Sequence, residues 1–130
     1  MQRIDLETTN RVELIDITNR VQAAIEKEKI KDGICLVFVP HTTAAVTVNE
    51  NADNCVQTDI NAGLKKIVPE DGGYSHREGN SDAHIKSSLV GVEVLVIIES
   101  GRLLLGAWQG VYFCEFDGPR TRQVWVKIIK

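Results

Sequence analysis

Val92-Glu93-Val94-Leu95-Val96-Ile97-Ile98, Arg102-Leu103-Leu104-Leu105, Trp108-Gln109-Gly110-Val111-Tyr112-Phe113-Cys114-Glu115-Phe116 and Arg122-Gln123-Val124-Trp125-Val126-Lys127-Ile128-Ile129 fill most of the last third of the chain. These runs are rich in β-branched and aromatic residues, and Ser100-Gly101 and Asp117-Gly118-Pro119 punctuate them as turns. They read as successive antiparallel strands. Trp108 reads first as a core residue.

Upstream the pattern changes. Gln2–Thr8 alternates apolar and polar residues, as a half-buried strand does, and Val12–Ile17 reads as a second short strand. Thr18 is placed to cap a helix with Val21, Ala24 and Ile25 on one face, and Gly33 ends that connection. Ile34–Val39 is a continuous apolar run, expected as a central strand buried on both faces. Pro40 closes it. His41–Ala45 follows as a loop, and Val46–Val48 is extended again.

Ala52, Val56, Ile60, Leu64 and Ile67 recur at helical spacing, with Asp53 at the positive end and Lys65-Lys66 at the negative end. Pro69–Asn80, with a proline and three glycines, is a long loop. Ser81 then caps a short helix over Asp82–Leu89, ended by Gly91. The expected fold is α+β, a single compact domain spanning residues 1–130. A mixed, largely antiparallel sheet packs with two main helices and one short helix.

Composition excludes several classes. The 130 residues carry a net charge of −3, with no basic block interleaved with aromatics, so neither nucleic acid nor membrane is the expected partner. The charged N-terminus lacks a signal peptide's apolar run, and no apolar stretch is long enough to span a bilayer. The expected location is cytoplasmic. Cys35, Cys55 and Cys114 form no C-x-x-C pair and read as reduced, mostly buried thiols.

Polar chemistry is concentrated in three blocks. The first, His76-Arg77-Glu78-Gly79-Asn80-Ser81-Asp82-Ala83-His84-Ile85-Lys86, sets two imidazoles, two carboxylates and a guanidinium around an expected helix N-terminus. That suits a phosphate or carboxylate ligand, with Arg77 or Lys86 as counter-charge. Simple capping accounts for Ser81 and Asp82 but not for both histidines. The second block is His41-Thr42-Thr43 with Asn49-Glu50-Asn51. A histidine straight after a buried strand is aimed by rigid backbone, or else it is a satisfied partner of nearby backbone. Glu50 fits a general base if burial raises its pKa, while Asn49-Glu50-Asn51 equally fits a helix cap.

The third block pairs Trp108-Gln109 with Glu115-Phe116-Asp117-Gly118-Pro119-Arg120-Thr121-Arg122. Arg120 and Arg122 share one side of an extended segment, as a diphosphate clamp or as ion-pair partners at a subunit contact. All three histidines, His41, His76 and His84, lie in the first two blocks, and together they are candidates to hold a divalent metal such as zinc. No P-loop, nucleophile elbow or dinucleotide fingerprint occurs.

Taken together and in this order, the three blocks resemble the YjbQ family, also called UPF0047, whose members include secondary thiamine-phosphate synthase. The resemblance covers essentially the whole chain. It implies a small α+β homotrimer with the motif residues in one pocket. The implied activity is weak joining of hydroxymethylpyrimidine diphosphate to thiazole phosphate, with release of pyrophosphate. For that chemistry Arg77, Arg120 or Arg122 would neutralise the diphosphate, and Glu50, Glu78 and Asp82 would hold Mg²⁺. His41, His76 and His84 would protonate the leaving group or bind a transition metal. Asn49, Asn80 and Gln109 would read the aminopyrimidine, with Thr42, Thr43 and Lys86 as further substrate contacts. Two other readings stand beside it: metal-dependent hydrolysis of a phosphorylated metabolite, and non-catalytic binding of one.

Overall fold

The computed structural model describes residues 1–130. Its elements are β1 (Gln2–Glu7), β2 (Glu13–Asp16), α1 (Thr18–Glu28), β3 (Gly33–Phe38), β4 (Ala44–Glu50), α2 (Asn54–Ile67), α3 (Ser81–Val90), β5 (Glu93–Glu99), β6 (Arg102–Leu103), β7 (Gln109–Glu115) and β8 (Thr121–Ile129). The α+β class and the two longer helices with a shorter third are as expected. The strands divide into two sheets rather than one: β1-β8-β3-β5-β6 and β2-β7-β4, every neighbouring pair antiparallel. The division falls at two corners. Pro40 ends the run of β3 before β4 begins in the other sheet, and Pro119 stands between β7 and β8. A proline has no N–H for a ladder, which suits it to such a corner.

The core lies between the inner faces of the two sheets. Cys35, Val37, Val96, Ile98, Val124 and Val126 come from the larger sheet, and Ala44, Val46, Val111 and Phe113 from the smaller. α1 closes one side through Val21, Ala24 and Ile25, as its spacing predicts. α3 packs on the outside of the smaller sheet, where Ala83 meets Ala45, Cys114 and Phe116. No helix is long and apolar enough to cross a membrane.

Several local expectations change. Thr18 is the first residue of α1 rather than its cap. Asp16 Oδ1 accepts from the Thr18 N–H at 2.9 Å, and Thr18 Oγ1 accepts from the Val111 N–H at 2.9 Å. Asn80, not Ser81, holds the cap position of α3, and its side chain bonds elsewhere. Asp53 caps α2 as expected, by accepting from the Cys55 N–H at 2.9 Å.

β3 is central in its sheet but buried on one face only. Cys35 and Val37 point into the core, while Ile34 is 41% exposed on the outer face. Trp108 is 66% exposed, because it precedes β7 outside both sheets. Cys55 is also exposed, whereas Cys35 and Cys114 are buried; burial pushes their thiols up to about 11 and about 12.

Candidate functional site

Three segments converge where β3, β7 and β8 turn: Pro40–Thr43, the loop leading into α3, and the Asp117–Arg120 turn. Beneath them lies a buried ion pair. Glu115 is 0% and Arg122 3% exposed, and both Arg122 Nε and Nη2 donate to the Glu115 carboxylate. Thr8 donates its hydroxyl to Glu115 Oε1 at 2.7 Å, and Arg122 Nη2 donates to Thr43 Oγ1 at 2.9 Å and to the Thr43 carbonyl at 3.2 Å. Burial alone raises the Glu115 pKa, but hydrogen bonds from Arg122, Thr8 and the Asp117 N–H outweigh it and hold the carboxyl below its ordinary value. Arg122 is therefore committed to holding the β3–β4 connection and is not half of an open clamp.

His41 is fixed from the same strand. The Gln123 N–H donates to His41 Nε2 at 2.9 Å. An amide donor requires a lone pair at Nε2, so the neutral ring carries its proton on Nδ1. Burial, and next the Arg122 charge, push the His41 pKa below its ordinary value. The ring is thereby kept as a neutral donor through Nδ1.

Across the cavity, His84 on α3 meets the His76 ring edge-on, with centroids 5.3 Å apart. Glu78 Oε2 stands 3.8 Å from His76 Nε2. Asp117 Oδ2 accepts from Asn80 Nδ2 at 2.9 Å and from Arg120 Nη2 at 3.1 Å. That bond fixes the Asn80 amide, whose Oδ1 is buried and has no protein partner.

The cavity measures about 470 Å³ and is lined by polar side chains and Pro40. It brings together His41, Thr42, Thr43, His76, Glu78, Asn80, His84, Arg120 and Arg122 from the expected set. A neighbouring cavity of about 590 Å³ shares His41, Thr42 and His84 with it and extends along α3 past Ser87 and Ser88. Asp117 also lines the site and was not singled out from the sequence as a candidate. Its signal in the sequence is the Asp117-Gly118-Pro119 run, which reads as a turn.

Other expected residues lie elsewhere. Asn49, Glu50 and Gln109 sit at the opposite end of the smaller sheet, where Glu50 pairs with Gln109. Glu50 lies six positions along β4 from Ala44, about 20 Å of strand. The cap of α2 is Asp53 rather than Asn49, Glu50 or Asn51; Glu50 Oε2 instead accepts from the Ala52 N–H at 3.0 Å, in the turn ahead of the helix. Asp82 and Lys86 face away from His84 and line a different cavity. Arg77 is exposed and lines neither wall.

These placements bear on the metal. No group of three His, Cys, Asp or Glu side chains is arranged to hold an ion. His41 Nε2 is already engaged with backbone. Glu50, Glu78 and Asp82, the expected Mg²⁺ ligands, lie in three different places. The residues as placed do not fit either metal arrangement.

A two-sheet antiparallel α+β domain with a polar, histidine-lined corner pocket is the class defined by this fold and site. The chain belongs to the YjbQ family: the model described as "UPF0047 protein YjbQ-like" matches residues 2–130. Among its relatives, a UPF0047 protein of Methanocaldococcus jannaschii is 53% identical, covering 98% of this chain and 92% of its own. The UPF0047 protein YugU of Bacillus subtilis is 47% identical, covering 99% and 98%. A crystal structure of a YjbQ/UPF0047 family protein from Clostridium acetobutylicum superposes with a TM-score of 0.97 at 53% identity, covering 99% of this chain and 100% of that one. A YbjQ-like protein of unknown function from Sulfolobus solfataricus gives 0.94 at 35% identity, covering 98% and 94%.

Proposed function

We propose that the chain is an enzyme acting on a small phosphorylated metabolite, with the thiamine-phosphate synthase reaction as its activity. The observation that carries this reading is the composition of one pocket. His41, His76, His84, Arg120 and Asn80 surround a single polar cavity of about 470 Å³, a volume suited to a small metabolite.

In that reaction the thiazole nitrogen attacks the pyrimidine methylene carbon. A C–N bond forms as the C–O bond to diphosphate breaks, and pyrophosphate leaves with the bonding pair. Positive charge develops at carbon and negative charge on the leaving group, so positioning and leaving-group stabilisation dominate catalysis. Arg120, steadied by Asp117, is the guanidinium with a free outer face for the diphosphate. His41 offers Nδ1–H to a phosphate oxygen, and His84 or His76 supplies a proton to the departing pyrophosphate. The unpartnered Asn80 Oδ1 suits an amino group on the pyrimidine.

We also propose that the molecule assembles as a homotrimer. Ile34, Leu95, Ile97 and Ile129 stand 41–64% exposed on the outer face of the larger sheet, a stretch of apolar surface of the kind that subunit contacts cover.

The test is thermal stability with pyrophosphate, together with elemental analysis of untagged protein. Stabilisation by pyrophosphate, lost on Arg120→Ala, is the expected outcome. A stoichiometric transition metal that is lost on His41→Ala would instead assign the pocket to metal-assisted hydrolysis. Ligand binding without turnover over a broad substrate panel would make the protein a binder.

A further inference from the structure

The face of α3 turned away from His84 borders a second cavity, of about 280 Å³, lined also by α2, by Glu70 and by Val12 just ahead of β2. Asp82 and Lys86 lie one turn apart on that face, whereas His84, two residues from each, projects to the opposite side. The two cavities are thus separated by the helix itself.

Two carboxylates, Asp82 and Glu70, and two lysines, Lys65 and Lys86, line this second cavity, and Arg11 beside the carboxylates brings one positive charge in excess. The Asp82 side chain, 2% exposed, is shared by two cations: Arg11 Nη2 at 3.1 Å and Lys86 Nζ at 3.8 Å. The second distance is longer than a hydrogen bond, and Lys86 itself is 96% buried, with its side chain 5% exposed. Glu70 reaches Arg11 only, at 3.4 Å, from a side chain 63% exposed. Lys65 adds a third cation to this neighbourhood, on the cavity wall. On the α2 wall Asn61 Oδ1 is buried with no protein partner.

Lys86 Nζ lies over the Phe116 ring, 5.7 Å from its centroid, with Asp82 beyond hydrogen-bond distance. An ammonium without a hydrogen-bond acceptor and a buried carbonyl oxygen without a donor are each costly, and one ligand can satisfy both. Burial pushes the Lys86 pKa down, the Asp82 charge next pulls it up, and Arg11 and Lys65 press it down against Glu70; an arriving negative charge would offset the burial and the two neighbouring cations. We propose that this cavity binds a compact oxyanion carrying its own O–H or N–H. The negative group sits between Lys86 and Lys65, and the donor meets Asn61 Oδ1. Phosphate monoesters and hydroxy carboxylates share that chemistry.

The experiment uses uniformly ¹⁵N-labelled full-length protein at constant ionic strength, titrated with inorganic phosphate and separately with glycolate. Saturable amide shifts across residues 61–65 and 82–86 are expected with at least one of the two. Response to phosphate alone, or to glycolate alone, assigns the source. In Lys65→Gln the midpoint should rise about threefold, as loss of one partly exposed ionic contact gives. In Lys86→Met the shifts should vanish. Should Lys86→Met fail to fold, Lys65→Gln decides, since Lys65 is exposed. Absence of saturable shifts at these amides with either anion, or shifts that Lys65→Gln leaves unaltered, overturns the proposal. His41 and Thr42, which line the other cavity, report on it in the same spectra, so the two sites succeed or fail separately.

Discussion

His41 illustrates how much a single residue's role depends on its partner. Its position after an apolar run and a proline marked it as aimed by rigid backbone, and that reading was available from the sequence. The Gln123 amide that fixes its tautomer was not, because the bond joins residues 82 apart and depends on the turn that brings β8 beside β3. Arg122 makes the same point in reverse. Alternation placed it beside Arg120, but the corner between β7 and β8 puts Glu115 against it and closes it off.

The lowered His41 pKa has a consequence for stability. The unfolded ring takes up its proton near its ordinary value of 6.5, while the folded ring resists until lower pH. The unfolded state then binds more protons, so stability is full above pH 6.5 and declines as pH falls below it. Chemical denaturation at a series of pH values should show that decline, and His41→Gln should flatten it. Glu115 extends the decline at more acid pH: its stabilisation is present above its ordinary value of 4.5 and lost as pH falls through its lower folded value.

Elements were more legible than their surroundings. The strand and helix spans follow periodicity and turn residues closely, because both are local signals. What periodicity cannot report is what covers a face. The apolar stripe of α2 is real, yet none of its residues is fully buried and Ile67 is 72% exposed. Nearness in sequence is a poor guide within a helix: Asp82, His84 and Lys86 lie within five positions, but the helical repeat sends them to opposite cavities. Applying the 3.6-residue period to the motif itself would have separated them.

The turn between β7 and β8 is held by close approach. A Cβ on Gly118 would collide first with the Asn10 carbonyl oxygen and would stand 2.8 Å from both Glu115 Cγ and Thr8 Oγ1, groups fixed in the ion-pair network beneath the site. Gly118→Ala should therefore destabilise the fold by about 1–3 kcal/mol, as overpacking does, measured by urea denaturation. Little change in the transition midpoint would show that the network yields.

At the scale of the whole molecule, the two corners that split the sheets also build the pocket, so the fold and the site have one origin. The class of fold was readable because helices precede a long antiparallel tail. The division into two sheets was not, since both corners look like ordinary turns in sequence. The larger sheet leaves apolar residues outside, and a trimer that covers them would bury Leu95 and Ile97. Leu95→Glu should shift sedimentation from trimer to monomer without unfolding the chain. A wild-type monomer at micromolar concentration would contradict the assembly.

The most direct test of the central claim is pyrophosphate release. Wild-type protein and His84→Ala would each be mixed with hydroxymethylpyrimidine diphosphate and thiazole phosphate. Turnover by the wild type, reduced on the order of 100-fold in the variant, is the result expected if His84 supplies a proton to the leaving group. Equal turnover by the two proteins, or none by either, would contradict it.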